Sequence, residues 1–232
     1  MRVVRLREVD ELSGMIEVQR GAWGKNELEI VPVHLLRAVA DELHPTGLVL
    51  GYYDEDVPVG YLLGLPTGDP KAALMHQVAV VPSHASKGIA HELMSEMGWT
   101  YREMGIERVS WTYDPLETAN ANLYLRKIGG IAERYLVDHY GRIDSTLYGD
   151  LATDRFYVTW YLKERPETVG PPERIDVPDD IGTIKAEDPE AAREWRQKTR
   201  ESFTKLMSDG YVVTGFERVR GECAYVLNKS EN

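Results

Sequence analysis

The stretch Val78-Ala79-Val80-Val81-Pro82-Ser83-His84-Ala85-Ser86-Lys87-Gly88-Ile89-Ala90 decides the fold. It starts inside a largely apolar run, Ala73 to Val81, of the kind that forms a strand buried on both faces. The chain leaves that strand through Pro82 and crosses a short polar loop. It then enters a long helix expected over Ser86 to Met104, with an apolar stripe through Ile89, Leu93, Met97 and Tyr101. Small residues at Ala85, Ser86 and Gly88 let the backbone approach a ligand closely, and the free N–H groups of a helix start suit a pyrophosphate. Lys87 adds a positive charge. The same residues would also serve an ordinary strand-to-helix turn whose glycine relieves strain, so the loop by itself leaves both readings open.

Working outward, helix-like and strand-like segments alternate. Val3 to Leu6 reads as a short strand, Val9 to Trp23 as a helix, and Val33 to Leu43 as a second helix with Pro32 near its first turn. Gly47 to Tyr53 and Val57 to Leu65 form a hairpin around Asp54-Glu55-Asp56. After the long helix come a strand at Val109 to Tyr113, a helix at Thr118 to Ile128, and strands at Ile131 to Val137 and Phe156 to Leu162. Helices inserted among mostly hairpin-linked strands predict an α+β fold, a mixed and mostly antiparallel sheet flanked by helices.

Composition limits the alternatives. Of 232 residues, 43% are hydrophobic and 28% charged, the balance of a globular domain and not of a disordered or collagen-like chain. Lys plus Arg number 27 against 38 Asp plus Glu, a net charge of -11 that repels a phosphate backbone, so no nucleic-acid partner is expected. One cysteine, Cys223, precludes an intrachain disulfide, and the histidines show no metal-ligand spacing, so no metal is expected. The first twenty residues are dense in charge, and no segment approaches a membrane span, which predicts a cytoplasmic protein without a leader. Glu164 to Pro189 holds five of the twelve prolines and reads as an extended linker. The expected organisation is therefore a domain over 1–163, a linker over 164–187, and a helix-plus-hairpin extension over 188–232. The extension starts with Asp188 as N-cap and Pro189 in first position, and is too small for a core of its own, so it docks on the first domain. Its helix presents Ala191, Trp195, Thr199 and Phe203 near one stripe.

Ala85-Ser86-Lys87-Gly88-Ile89-Ala90 resembles the central motif of the GCN5-related N-acetyltransferase (GNAT) superfamily, in which a buried strand is followed by Gln or Arg, two residues, Gly, one residue and Gly or Ala. Ala85 departs from the Gln/Arg position. The superfamily's later motif is echoed in Asn120-Ala121-Asn122-Leu123-Tyr124-Leu125-Arg126-Lys127-Ile128-Gly129-Gly130. Trp111-Thr112-Tyr113-Asp114-Pro115-Leu116, Tyr140-Gly141, Thr153-Asp154-Arg155, Trp195-Arg196 and Phe203 look like a bacterial and archaeal subgroup of predicted acyltransferases, a resemblance that spans nearly the whole chain. Some members are encoded beside N-acylamino-acid racemases, which implies an amino-acid acceptor. The resemblance implies acetyl-CoA or another acyl-CoA as cosubstrate and transfer to a primary amine of a small molecule. It also implies that Val78, Ala79 and Val80 align the pantetheine, with an N–H near Ala79 polarising the thioester. Ala85, Ser86, Lys87, Gly88, Ile89 and Ala90 would hold the pyrophosphate, with Asn120 also on the cosubstrate. A non-catalytic CoA-binding or regulatory protein is the alternative, and the chain is either monomeric or a homodimer.

Acyl transfer needs a base for the ammonium and a proton for the leaving thiolate. His76 lies on the strand of Val78 and Val80, and period-two geometry puts all three on one face. Asp114, at the end of the neighbouring strand, is the competing base, its other role being to cap the helix after Pro115. The superfamily's acid is a tyrosine four residues before the Gly-Phe pair, which is Leu125 here; Tyr124 is adjacent and Tyr140 is a second candidate. Trp111 and Arg155 are assigned to the substrate, Arg155 as a fork for a carboxylate; an Asp154–Arg155 surface pair is its other reading.

Overall fold

A computed structural model describes residues 1–24, 26–43, 46–141 and 151–231. Its contacts divide them into two units, Met1–Ser110 and the described residues from Trp111 onward. The division falls inside the stretch expected as one domain, and the expected boundary near 163 lies within the second unit.

The first unit contains β1 (Arg2–Arg5), α1 (Val9–Trp23), α2 (Val33–Val39), β2 (Leu48–Asp54), β3 (Val57–Pro66), β4 (Ala72–Val80), α3 (Ile89–Glu103) and the start of β5 (Arg108–Tyr113). Strands β1 to β4 are antiparallel neighbours in chain order, with β2 and β3 joined by the two-residue turn Glu55-Asp56; β4 pairs parallel with β5. Side-chain alternation along β3 sorts the helices. Tyr61 and Leu63 join Leu12, Met15 and Val18 of α1 and Leu36 and Val39 of α2 in one core. On the other face, a Cβ at Gly60 would lie 2.8 Å from Ile89 of α3, and one at Gly64 would lie 2.1 Å from the Tyr101 hydroxyl. Glycine at these two positions lets α3 lie directly on the sheet.

The second unit takes β5 from Trp111 and continues with α4 (Thr118–Ala121), a π-helix (Asn122–Lys127), β6 (Ile131–Leu136), β7 (Arg155–Tyr161), β8 (Thr168–Val177), α5 (Ile181–Glu187), α6 (Pro189–Ser208), β9 (Tyr211–Val219) and β10 (Glu222–Ser230). Its strands follow the order β5-β7-β6-β9-β10-β8, antiparallel from β7 on. The proline-rich stretch is thus a strand and a helix rather than a free linker. Proline's fixed φ suits an edge strand, where missing donors cost no ladder bond. Opposite Asn228, β8 bulges through Gly170-Pro171-Pro172.

The extension packs within this second unit. Phe203 of α6 stacks on Tyr135 and meets Phe156 and Tyr225 edge-on, forming an aromatic core with Tyr113. Asp188 caps α6 by accepting the N–H groups of Glu190 and Ala191. The buried stripe is Ala192, Arg196, Thr199 and Phe203, so two members sit one residue later than the strict four-residue spacing predicted. Alternating steps of four and three follow the 3.6-residue turn more closely. Among the described residues, no helix is long and apolar enough to cross a membrane.

Candidate active site

In the first unit, the loop after β4 builds a cradle. Pro82–His84 form one 3-10 turn, anchored where His84 Nε2 meets Asp54 Oδ2 at 3.0 Å, at the end of β2. Ala85 is then extended, Ser86 turns left-handed at φ 63°, and Gly88 caps α3 at φ 88°. A side chain at Gly88 would meet nothing within 4 Å, so the space before the helix is open. The first intrahelical bond runs from Glu92 N–H to the Gly88 carbonyl. By helix geometry, the N–H groups of Ile89, Ala90 and His91 therefore have no partner in the helix. Ile89 is buried and fixes the helix start, while Ala85, Ser86 and Lys87 are exposed around it. A backbone cradle of this kind fits an anionic pyrophosphate without the side-chain donor missing at Ala85.

Strand β4 departs from simple alternation. Leu63 pairs with Gln77 and Gly64 with Met75, which leaves His76 as the extra, bulged residue. The register puts Met75 on the face of Val78, because their partners Gly64 and Leu62 are two apart. The expected shared face of His76, Val78 and Val80 is therefore interrupted at His76, which is exposed instead of buried. Desolvation by surrounding protein still lowers its imidazole below the ordinary 6.5. The Val81 N–H donates to Val59 across β3, so by alternation Ala79 also directs its backbone at β3, and Val78 and Val80 direct theirs away. The amides free for a ligand on this strand are those of Val78 and Val80, not the one assigned to Ala79. Among the described residues, the ladder of β4 with β5 covers only Ala72–Leu74 against Arg108–Ser110, so it does not reach Val78.

In the second unit, Trp111 and Tyr113 both pack against the ring of Tyr124, at 5.2 Å between centroids. The Trp111 indole N–H is buried with no hydrogen-bond partner. Tyr124 lies in the π-helix, whose turns close over five residues. A residue five before Gly129 then takes the direction that one four before it would take in an α-helix. That residue is Tyr124, whose buried ring packs between Trp111 and Tyr113. Burial pushes its phenol well above 10, which keeps the proton on at neutral pH. Asn120 is half-buried on α4, two residues before the π-helix.

Asp114 is held by two donors and a second guanidinium nearby. Its Oδ2 takes Arg196 Nη2 at 2.5 Å and lies 3.7 Å from Arg155 Nη1, and its Oδ1 takes the Leu116 N–H at 2.9 Å. It does not cap the next helix, where Glu117 is the N-cap residue. A carboxylate committed to these partners is poorly placed as a proton acceptor. Arg155 is 4% exposed, and its guanidinium bonds the Asp154 carbonyl at 2.8 Å beneath the Tyr140 ring at 5.1 Å. Tyr140, 44% exposed, shares a hydrogen bond with Thr112. The Asp154–Arg155 surface pair does not form. The buried Asp154 carboxylate instead takes Arg200 through two nitrogens, the Tyr135 hydroxyl and the Asp138 N–H. Burial works against its charge, yet these donors outweigh burial and hold its carboxyl below the usual range. Arg196 and Arg200 were not among the residues expected at the site. Their signal was the 3.6-residue spacing that carries Arg196 onto the buried stripe of α6. Among the described residues, no group of three or more metal-ligating side chains is gathered.

Residues 10–129 match the model of the acetyltransferase (GNAT) family, and the chain belongs to that family. It is an N-acetyltransferase of the GNAT type. No curated protein matches it in sequence. The ribosomal-protein-S18-alanine N-acetyltransferase of Escherichia coli is 12% identical with a TM-score of 0.56, over 73% of this chain and 98% of that one. A putative acetyltransferase from Salmonella typhimurium, solved with its cofactor acetyl-CoA, is 15% identical with a TM-score of 0.58, over 74% and 99%. An aminoglycoside 6'-acetyltransferase type Ii is 13% identical with a TM-score of 0.56, over 72% and 100%. At these identities the likeness shows the fold.

Proposed function

We propose that this enzyme transfers an acetyl or succinyl group from its CoA thioester to the primary amine of a small molecule, with an amino acid as the acceptor to test first. The observation that carries the reading is the cradle at Ala85–Ala90, with Gly88 left-handed before α3 and open space in front of it. The outward amides of Val78 and Val80 would align the pantetheine, and the helix-start N–H groups would take the pyrophosphate. Bound there, the thioester supplies the activated acyl group. His76, neutral near pH 7, takes a proton from the acceptor ammonium so that the nitrogen lone pair can attack the carbonyl carbon. Tyr124 holds the proton for the sulfur as the carbon–sulfur bond breaks. A thiolate is a tolerable leaving group, so the acid contributes less than the base. Trp111 and Arg155 are assigned to the acceptor and Asn120 to the cosubstrate, while Tyr140 serves better as a cover over Arg155 than as a second acid. A non-catalytic CoA-binding role rested on the loss at Leu125, which Tyr124 offsets. We assign the protein to the cytoplasm, with no nucleic-acid or metal partner.

The test is CoA release from acetyl-CoA and succinyl-CoA across a panel of amines. Turnover with at least one acyl donor and one amine is expected. Tight acyl-CoA binding with no turnover would favour the non-catalytic role.

A further inference from the structure

A run of hydrogen bonds in the first unit leads from the end of β2 into the loop before α3. Asp54 Oδ2 lies 3.0 Å from His84 Nε2, and His84 Nδ1 lies 3.0 Å from Ser83 Oγ. The His84 N–H donates to the Val81 carbonyl and the Ala85 N–H to that of Pro82, which fixes the turn carrying both side chains. Ser83 is exposed on this turn, two residues before Ala85, where the loop lacks a side-chain donor for a phosphate. A carboxylate only accepts, so the hydrogen on Nε2 faces Asp54. Nδ1 then has two states. In the neutral ring it is a lone pair that takes the Ser83 hydroxyl hydrogen, which leaves the serine oxygen to face outward as an acceptor. In the imidazolium it donates to Oγ, which frees the Ser83 hydroxyl to donate elsewhere. The charge on His84 therefore decides whether Ser83 repels or receives an anion. Of the other titratable groups at this end of β2, β3 and α3, Glu92 accepts the Tyr52 hydroxyl at 2.9 Å and His91 is half-buried in the first turn of α3. Glu55 and Asp56 in the hairpin turn and Lys87 in the loop are exposed.

We infer that Ser83 donates a hydrogen bond to a phosphate of the CoA cosubstrate, with His84 and Asp54 as positioning residues, so that cosubstrate binding draws a proton onto His84. This deepens the acyl-CoA reading of the same loop and rests on it for the identity of the ligand. The proton comes from solvent and adds to Nδ1, Asp54 balances the ring charge from the other side, and the Ser83 hydroxyl turns from Nδ1 to the phosphate oxygen. With the ring neutral, serine lone pairs would face the phosphate instead. Binding and protonation therefore favour each other, and by linkage a rise in pH costs affinity.

The experiment is calorimetry with dephospho-CoA, which keeps the pyrophosphate but lacks the 3'-phosphate that itself titrates near neutrality. Titration in two buffers of different ionisation enthalpy at about pH 7.5 counts the protons taken up on binding. Wild type is expected to take up roughly half a proton per site, with a Kd that rises about threefold per pH unit above neutrality. Ser83→Ala should bind about tenfold more weakly and take up no proton, whereas Ser83→Thr keeps the hydroxyl and should keep both properties. His84→Gln should lose the uptake and the pH dependence. Wild-type binding without proton uptake, uptake that persists in His84→Gln, or wild-type affinity in Ser83→Ala would each overturn the inference. If His84→Gln does not fold, the exposed Ser83→Ala substitution carries the comparison. Failure of the wild type to bind either CoA or dephospho-CoA is a separate result, which removes the acyl-CoA reading and this inference with it.

Discussion

His76 and Asp114 are the two candidate bases, and their surroundings differ. His76 stands out of the β4 ladder as an exposed, bulged residue, whereas Asp114 is tied to Arg196, Arg155 and the Leu116 amide. His76→Ala should lower kcat about 10²-fold or more with little change in acyl-CoA KM. The pH–rate profile checks the assignment. A base works only when deprotonated, so activity falls as pH drops through its pKa. Because desolvation lowers the His76 pKa, the acidic limb should lie below 6.5, and it should vanish in the variant. Asp114→Ala should act on stability instead. It leaves the buried Arg196 cation without its carboxylate, a loss of about 3 kcal/mol on the scale of broken buried pairs, read by urea unfolding. A folded, fully stable Asp114→Ala enzyme with no activity would transfer the base assignment to Asp114.

Among elements, the strand-to-helix loop and the π-helix carry the argument. Gly88 sits at φ 88°, so Gly88→Glu adds backbone strain of about 1–2 kcal/mol and places a negative charge in open space where the pyrophosphate is expected. Calorimetry should show acyl-CoA binding abolished in a protein that still melts cooperatively; unchanged affinity would put the cradle elsewhere. In the π-helix, deleting the exposed Arg126 shortens the Tyr124–Gly129 interval to the four residues of an α-turn. The deletion should therefore keep activity, while Tyr124→Phe in either background lowers kcat by the same factor. Much of this was legible in the sequence, because α1, β9 and the loop before α3 follow from periodicity and punctuation that involve only near neighbours. The bulge at His76 was not legible, since it depends on which residues of β3 lie across from β4. The π-turn was hidden for a related reason: one added residue changes no local propensity, only direction. Prolines 171 and 172 misled because proline excludes a central strand but not an edge one.

On the scale of the whole molecule, the C-terminal extension is part of a core rather than an appendage. Phe203 and Tyr225 are fully buried against Phe156, and Arg200 holds the buried Asp154. Truncation after Lys163 would remove β8, α5, α6, β9 and β10 and bare an aromatic face. The truncated chain should be insoluble or melt well below the intact protein, and a soluble truncation with unchanged Tm and kinetics would refute this. Strand β8, which pairs only with β10 among the described residues, closes the strand order with Gly170-Pro171-Pro172 bulged out. Two consecutive residues there have no amide hydrogen to offer a passing strand, and the bulge spoils the straight row of carbonyls beside them. The rim thus works as a terminus for sheet growth, so that at high concentration copies of this enzyme should resist fibre-like stacking along that edge, a resistance that restoring amides with Pro171→Thr and Pro172→Thr would take away.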